Sequence, residues 1–148
     1  MPGLAGFVPG GTVKGGDRAA VLDAMLASLR HHPLHAASGV VHDHEVASGL
    51  VLRRPLEGGG YWPTGDGVHV WLDGEMFDDR GLLPLGEAAS GLAEQPNLPR
   101  NGTFAAVLYD ERHQRLTFIT DPFGLRYLYL SRIGGHIAWA GEAKAFLR

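Results

Sequence analysis

The sequence predicts a single domain of short antiparallel strands with a few helices, and three observations lead to this expectation. Gly and Pro are frequent, with 22 and 9 residues among 148, which favours short elements joined by many turns. Residues 68–72 alternate Val and Leu with His and Trp, as a half-buried strand does. Toward the C-terminus, apolar runs are separated by turn residues at 110–113 and 121–124, which is typical of strands that fold back on one another.

The first elements are expected to be a strand and a helix. Residues 4–8 form a short apolar run that ends at Pro9, and they predict a buried strand. Apolar residues at helical spacing predict a helix over 18–30, with Asp17 as its N-cap and Pro33 after its end. The apolar face of this helix is expected to comprise Val21, Leu22, Met25, Leu26 and Leu29.

The remaining elements follow from alternating and apolar runs. Residues 38–52 predict two short strands around a turn at 42–43, and 55–67 predict a loop in which the triplet 58–60 is a flexible turn. Residues 103–109 are apolar on both faces, as in a strand covered on both sides. A further helix is expected over 86–94 and a final helix over 142–147. Between them, strands are expected over 116–120, 127–130 and 136–140.

Composition excludes several classes of function. The net charge of −3 and the lack of a basic cluster argue against a nucleic-acid partner. No apolar run approaches the roughly 20 residues of a membrane helix. The first residues lack a basic region followed by an apolar one, so we do not expect a secretory signal. The chain has no Cys, so disulfides, thiolate catalysis and Cys-ligated zinc are excluded. We expect a cytoplasmic protein without a cofactor.

Five segments, taken in order from residue 1, carry a resemblance to a known family. The segments are Met1–Val8, Leu72–Asp78, Asn101–Asp110, Asp121–Tyr129 and Gly141–Phe146. They look like Met-Cys-Gly-Ile-x-Gly, L-N-G-E-I-Y-N, N-G-x-F-A-F-A-L-Y-D, D-R-F-G-I-K-P-L-Y and S-E-x-K-A-L. In these motifs the chain resembles class-II glutamine amidotransferases, the glutaminase domain found at the N-terminus of asparagine synthetases, β-lactam synthetases and lasso-peptide cyclases.

The resemblance implies an α+β fold of the N-terminal-nucleophile hydrolase type, a four-layer αββα sandwich of two antiparallel sheets. It spans 1–148 as a single glutaminase-like domain. The matched residues Phe104, Leu108, Phe118 and Tyr129 are expected to fill the space between the sheets. The ATP-pyrophosphatase domain of the synthetases is not expected in this chain, because the Gly58–Gly60 triplet lacks the flanking Ser and Asp of its phosphate loop.

The residues that the family uses for catalysis are replaced. Pro2 stands where the nucleophilic Cys belongs, and Gly49 aligns with the arginine that grips the substrate carboxylate. Arg53 and Arg54 lie four or more residues away, about 13 Å along a strand, too far for the same contact. The oxyanion hole of the family uses an Asn amide and the N–H of the next Gly. Here Asp73 replaces the Asn, Gly74 is kept, and a carboxylate would repel a developing negative charge.

The segment that holds the substrate's amino group is not found between residues 78 and 101. With four losses, the resemblance implies a catalytically inactive domain. We expect it to act as a structural or interaction module for an ATP-dependent amide-forming synthetase or cyclase, or to form homo-oligomers. Candidate contacts are Tyr61, Trp62 and Tyr127, since Tyr and Trp are favoured at interfaces.

Two alternatives stay open. The first is an enzyme, or a binder of a small molecule or peptide in the vacated cleft, that uses the amine of Pro2. Its candidate pocket comprises Pro2, Gly49, Asp73, Gly74 and Glu75, and an N-terminal proline amine is a possible base or iminium-forming nucleophile. The second is an acid–base pair among Asp73, Glu75, Asp78 and Asp79, for which a solvated loop is the simpler account.

A metal site is considered for the His-rich stretch and is not expected. It would use His31, His32, His35, His42 and His44, but these follow a helix end and a turn, where solvated His is common.

Overall fold

The computed structural model describes residues 3–10, 15–42, 45–53, 58–133 and 135–147. The chain divides into two compact units, one formed by Met1–Glu57 with Leu128–Arg148 and the other by Gly58–Tyr127. The described part of each unit contains one five-stranded antiparallel sheet and at least one helix. Two antiparallel sheets with helices confirm the α+β class.

The first unit is a sheet built from both ends of the chain. Its strands are β1 (Leu4–Val8), β2 (His35–Val41), β3 (Ala47–Arg53), β9 (Tyr129–Ile133) and β10 (His136–Ala140). They lie in the order β2-β3-β1-β10-β9, so β1 is central between β3 and β10. The unit also holds the helix α1 (Gly15–Ser28) and a 3-10 helix over Ala143–Leu147.

The amphipathic face of α1 packs on this sheet. Leu22, Met25, Leu26 and Leu29 are all buried and share a core with β1 and β3 residues such as Phe7. Each fully buried side chain of this size contributes roughly 1.5–3 kcal/mol. The expected face is therefore confirmed at four positions and wrong at the fifth. Val21 is 43% exposed, because its position lies at the margin of the stripe that meets the sheet.

The second unit is formed by a contiguous segment. Its strands are β4 (Gly59–Pro63), β5 (Val68–Asp78), β6 (Gly81–Leu82), β7 (Asn101–Asp110) and β8 (Arg115–Thr120), with helix α2 (Leu85–Glu94). The main order is β4-β5-β7-β8, and β6 pairs with β5. The β5–β7 ladder is the longest, because its register runs from Val68 opposite Asp110 to Phe77 opposite Asn101.

The apolar face of α2 meets one face of the second sheet. Ala88, Ala89 and Leu92 share a buried core with alternate residues of β5 and β7, among them Leu72 and Phe104. This alternation places the intervening residues of β5, such as Trp71 and Asp73, on the opposite face. Of the candidate site residues of the second unit, Asp73 and Glu75 belong to that opposite face, whereas Gly74 has the parity of the α2 face.

Several expectations about element boundaries are wrong. The segment 55–67 is not only a loop, because 59–63 pair with β5 as strand β4. Helix α1 begins at Gly15, so Asp17 lies inside its first turn and is not the N-cap. The last strand pair begins at Tyr129 and not at 127, and the final helix is a short 3-10 helix. The turn expected at 42–43 lies partly outside the described residues.

The expected core aromatics have different outcomes. Phe104 and Leu108 are buried at 1% and 4% exposure, but they pack in the core that the second sheet shares with α2, and not in the expected space between two sheets. Phe118 is partly buried, and Tyr129 is 46% exposed. Tyr129 is therefore not a core residue, since it lies on β9, which is the edge strand of its sheet.

Candidate functional site

Strand β5 carries the three residues of the second unit that the sequence marks as a site. Asp73, Gly74 and Glu75 lie in the centre of the sheet, where Asp73 is opposite Gly59 of β4 and Ala105 of β7. Asp73 is buried and Glu75 is partly buried. The backbone of Asp73 is held by both neighbouring strands, whereas Gly74 and Glu75 pair with β7 and lie beyond the end of the β4 ladder.

Gly74 occupies a backbone conformation and a space that exclude a side chain. Its φ is +112°, and a Cβ atom would lie 2.0 Å from the carbonyl oxygen of Thr103. Its N–H donates a hydrogen bond to the carbonyl oxygen of Gly58 at 3.3 Å. The one backbone donor that the resemblance assigns to an oxyanion hole is therefore bonded to the residue directly before β4.

Asp73 forms an ion pair that the sequence does not reveal. The Nη1 of Arg126 donates to its Oδ1 at 3.1 Å, and the side chains are 7% and 17% exposed for Asp73 and Arg126, respectively. The pair neutralises the charge that we expected to repel an oxyanion. Even so, the Asp73 carboxylate only accepts hydrogen bonds, so it does not replace the donor function of an Asn amide.

The position of Arg126 depends on a second buried acid, Asp121. Its carboxylate is 2% exposed and accepts N–H groups from Phe104 at 3.3 Å, Phe123 at 3.0 Å, Leu125 at 3.1 Å and Arg126 at 3.2 Å. Burial raises the pKa of Asp121, but the four backbone donors together outweigh it and hold that pKa below its usual value. The loop backbone that carries Arg126 is thus fixed by an ionised side chain.

Sequence reasoning missed Arg126, although it lies inside a matched motif. The signal that would have found it is the replacement of a neutral Asn by an Asp in a central strand. A buried carboxylate needs a compensating cation or several donors. The matched motif at 121–129 contains such a cation, Arg126, so this residue was the one to consider as the partner of Asp73.

The remaining members of the predicted pocket lie elsewhere in the chain. Pro2 is outside the described residues. Gly49 lies in β3 of the first unit, where an added Cβ would meet Leu26 at 3.0 Å and Val40 at 3.3 Å. A side chain at position 49 would therefore point toward the core beneath α1. An arginine at position 49 would displace Leu26, so the core has no space for the arginine that the family carries at this position.

The acidic residues beyond Asp73 take part in surface contacts. Asp78 accepts two hydrogen bonds from the Arg80 guanidinium, at 2.9 and 2.7 Å, and these bonds lower the pKa of Asp78. Arg80 also contacts Glu87 at 3.1 Å, and Asp79 is exposed. This arrangement is typical of a solvated turn with ion pairs.

Described histidines of the first unit take part in hydrogen bonds. His31 Nε2 lies 2.6 Å from Glu142 Oε1, and Lys144 Nζ lies 3.0 Å from the same nitrogen. Burial raises the pKa of Glu142, but His31 and Lys144 outweigh it and lower that pKa. Across the described ranges, no three His, Asp or Glu residues are grouped so as to hold a metal ion. His42 is exposed, and His44 lies outside the described residues.

The aromatic residues named as contacts differ in exposure. Tyr127 is 67% exposed and Trp62 is 42% exposed, while Tyr61 is partly buried.

Within the described residues, no helix has the length and apolar character needed to cross a bilayer.

One comparison with known proteins gives a match. A family model described as a glutamine amidotransferase domain matches residues 88–148. No curated protein matches the chain. The matched part runs from α2 through the Asp121 loop to the 3-10 helix, and it includes Arg126. Over residues 88–148, the chain is glutamine amidotransferase-like.

Proposed function

We propose that the chain is a glutaminase-like domain that does not hydrolyse glutamine and acts as an interaction module. The partner in this proposal is an ATP-dependent amide-forming synthetase or cyclase of the asparagine synthetase type, in the cytoplasm. In this proposal the chain has the N-terminal-nucleophile hydrolase fold, a sandwich of two sheets. The observation that supports the loss of activity is the state of the oxyanion loop, where Gly74 N–H is bonded to Gly58 and Asp73 is paired with Arg126.

The magnitude of this loss is large. Removing one donor from an oxyanion hole costs about 2.7–4 kcal/mol, or roughly 10²–10³ in rate. In this chain a carboxylate, which only accepts hydrogen bonds, replaces the side-chain donor, and the backbone donor is bonded to Gly58, directly before β4. The nucleophile is a second, independent loss, because the chain contains no Cys to supply a thiolate.

A glutaminase assay with matched variants tests the loss of activity. The protein is incubated with glutamine, and released ammonia is followed against a buffer blank. We expect the unsubstituted protein, and its Pro2→Cys, Asp73→Asn and double variants, to remain at the blank rate, since the Gly74 N–H stays bonded to Gly58 in each. Ammonia release at an enzymatic rate that Pro2→Ala abolishes would refute the proposal.

The interaction role needs its own test. The chain is co-expressed with an ATP-dependent amide-forming synthetase of the asparagine synthetase type, and the mixture is examined by size-exclusion chromatography with light scattering. A stoichiometric complex is expected. A monomer at high concentration that forms neither this complex nor a homo-oligomer would count against the module and leave the hydrolysis result unaffected.

The Asp73–Arg126 pair favours a second candidate, a binder of small zwitterionic ligands. A carboxylate beside a guanidinium offers partners for the amino and carboxylate groups of an amino acid or short peptide. Thermal-shift measurements against amino acids should then show stabilisation that Arg126→Met removes. A companion test for an enzyme that uses Pro2 is aldehyde labelling with borohydride, in which a label confined to Pro2 would support that version.

A further inference from the structure

Three titratable side chains of the second unit form a continuous hydrogen-bonded relay away from the Asp73–Arg126 pair. The Oη of Tyr61 on β4 lies 2.7 Å from Nδ1 of His69 on β5. The Nε2 of His69 lies 2.6 Å from Oε1 of Glu111, which directly follows β7. The order is phenol, imidazole, carboxylate, and both distances are short for hydrogen bonds.

The chemistry of the three groups fixes the direction of the protons. An ionised carboxylate only accepts, so Nε2 of His69 carries a hydrogen and donates it to Glu111. In a neutral imidazole the other nitrogen then has a free lone pair, and Tyr61 O–H donates to it. A proton that leaves Tyr61 therefore moves to a base whose charged form is stabilised by Glu111. This is the logic by which a hydroxyl is activated as a nucleophile.

The sheet and its aromatic residues hold the imidazole in place. Tyr61 is opposite Trp71 in the β4–β5 register, and His69 is opposite Tyr109 in the β5–β7 register, so all four side chains share one face. The His69 ring stacks near Tyr61 and Trp71, with interplanar angles of 15° and 20°. Trp71 is fully buried, so one wall of the relay is rigid.

The solvent side of the relay is open. The side chain of Glu111 is 38% exposed and that of His69 is 16% exposed, while Tyr61 is partly buried. Tyr61 lies on β4, which is the outermost strand in the order β4-β5-β7-β8. The relay therefore combines a partly exposed tyrosine on an edge strand with a base that is fixed by packing.

We propose that Tyr61 is an activated acyl acceptor that reacts with activated acyl donors such as acyl imidazoles. In the step, Tyr61 Oη forms a bond to the acyl carbon, and the carbon–nitrogen bond of the donor breaks. The phenolic proton passes to His69 Nδ1 and then to the departing imidazole, so charge and atoms balance. The product is an O-acyl tyrosine, and no oxidant or metal takes part.

Acetylation with N-acetylimidazole tests this proposal on the intact protein. Acetyl groups are located by peptide mass spectrometry at timed intervals, and hydroxylamine reverses true O-acetyl tyrosines. Tyr127 is the internal control, because it is 67% exposed and thus more accessible than Tyr61. We expect Tyr61 to react at least about tenfold faster than Tyr127, within the range of general-base assistance.

Two variants separate activation from exposure. His69→Gln should slow acetylation of Tyr61 by at least about tenfold and leave Tyr127 unchanged. Glu111→Gln keeps the shape of a side chain that is 38% exposed, should slow Tyr61 by a smaller factor, and provides the test if His69→Gln does not fold. The proposal is overturned if Tyr127 reacts as fast as Tyr61, or if a folded relay variant acetylates Tyr61 at the original rate.

Discussion

Replacement of Asp121 by Asn or Ala is expected to destabilise the protein by about 2 and about 3 kcal/mol, respectively. The larger part comes from Phe104, whose N–H lies in the buried stretch of β7 and donates to Asp121. Leaving a buried N–H without an acceptor costs about 1–3 kcal/mol. The N–H groups of Phe123 and Leu125 belong to exposed residues and regain water, so each loses only about 0.5–1.5 kcal/mol. Both variants also avoid the cost of burying the Asp121 charge, and this gain offsets part of the lost hydrogen-bond energy.

The pH dependence of stability provides a second signature of Asp121. Its pKa is lowered in the folded protein, so the unfolded state binds the proton more readily. The stabilisation is therefore fully present above the unfolded pKa of about 3.9 and is lost as pH falls through the lower folded pKa. Asp121→Asn should lack this component, so its stability should fall less steeply between about pH 5 and 2.

Urea unfolding followed by Trp fluorescence measures both effects, since the chain has 3 Trp residues. Asp79→Asn, at an exposed position, is the matched control for removing one negative charge and should stay within about 0.5 kcal/mol of the original protein. If Asp121→Asn unfolds at the same urea concentration at pH 7 and keeps the original acid slope, the reasoning about the buried carboxylate is wrong.

Three further substitutions test the packing of each unit by the same unfolding measurement. Gly74→Ala should cost about 3 kcal/mol or more, because of its positive φ and the clash with a neighbouring carbonyl, whereas Gly65→Ala, with open space around it, should be nearly neutral. Arg126→Met should cost about 3 kcal/mol by leaving a buried carboxylate without its cation, and adding Asp73→Asn should recover most of that loss; additive effects would contradict the ion pair. Leu22→Ala should cost about 2–5 kcal/mol, and a value below about 1 kcal/mol would contradict its place in the core.

The sequence predicted most elements of the fold because hydrophobic periodicity follows burial closely. It missed β4 because three consecutive Gly residues look like a flexible turn. In the structure these residues serve close approach, since an added Cβ at Gly59 would lie 2.2 Å from the carbonyl oxygen of Leu72, and one at Gly60 would lie 2.7 Å from the side chain of Leu85. The sequence shows that these residues have no side chain, but it does not show which backbone or side-chain atoms pack against them in the fold.

The candidate site was predictable only in part. Asp73 and Gly74 are adjacent in sequence, so their common strand was accessible to motif reasoning. Arg126 lies 53 residues from Asp73, and its approach depends on the backbone that Asp121 holds. Similarly, Tyr61, His69 and Glu111 meet through the registers of two strand pairs. Such contacts depend on tertiary pairing, which one sequence without its relatives does not specify.

The interleaved strand order of the first unit has a consequence for biosynthesis. β1 emerges from the ribosome early, but its neighbour β10 is made only after the whole second unit. All strand partners of the second unit lie within one continuous stretch, so that unit has its full set of pairings first. Until β10 arrives, a nascent chain exposes one open edge of β1, and an exposed edge is a place where chaperones or aggregation act.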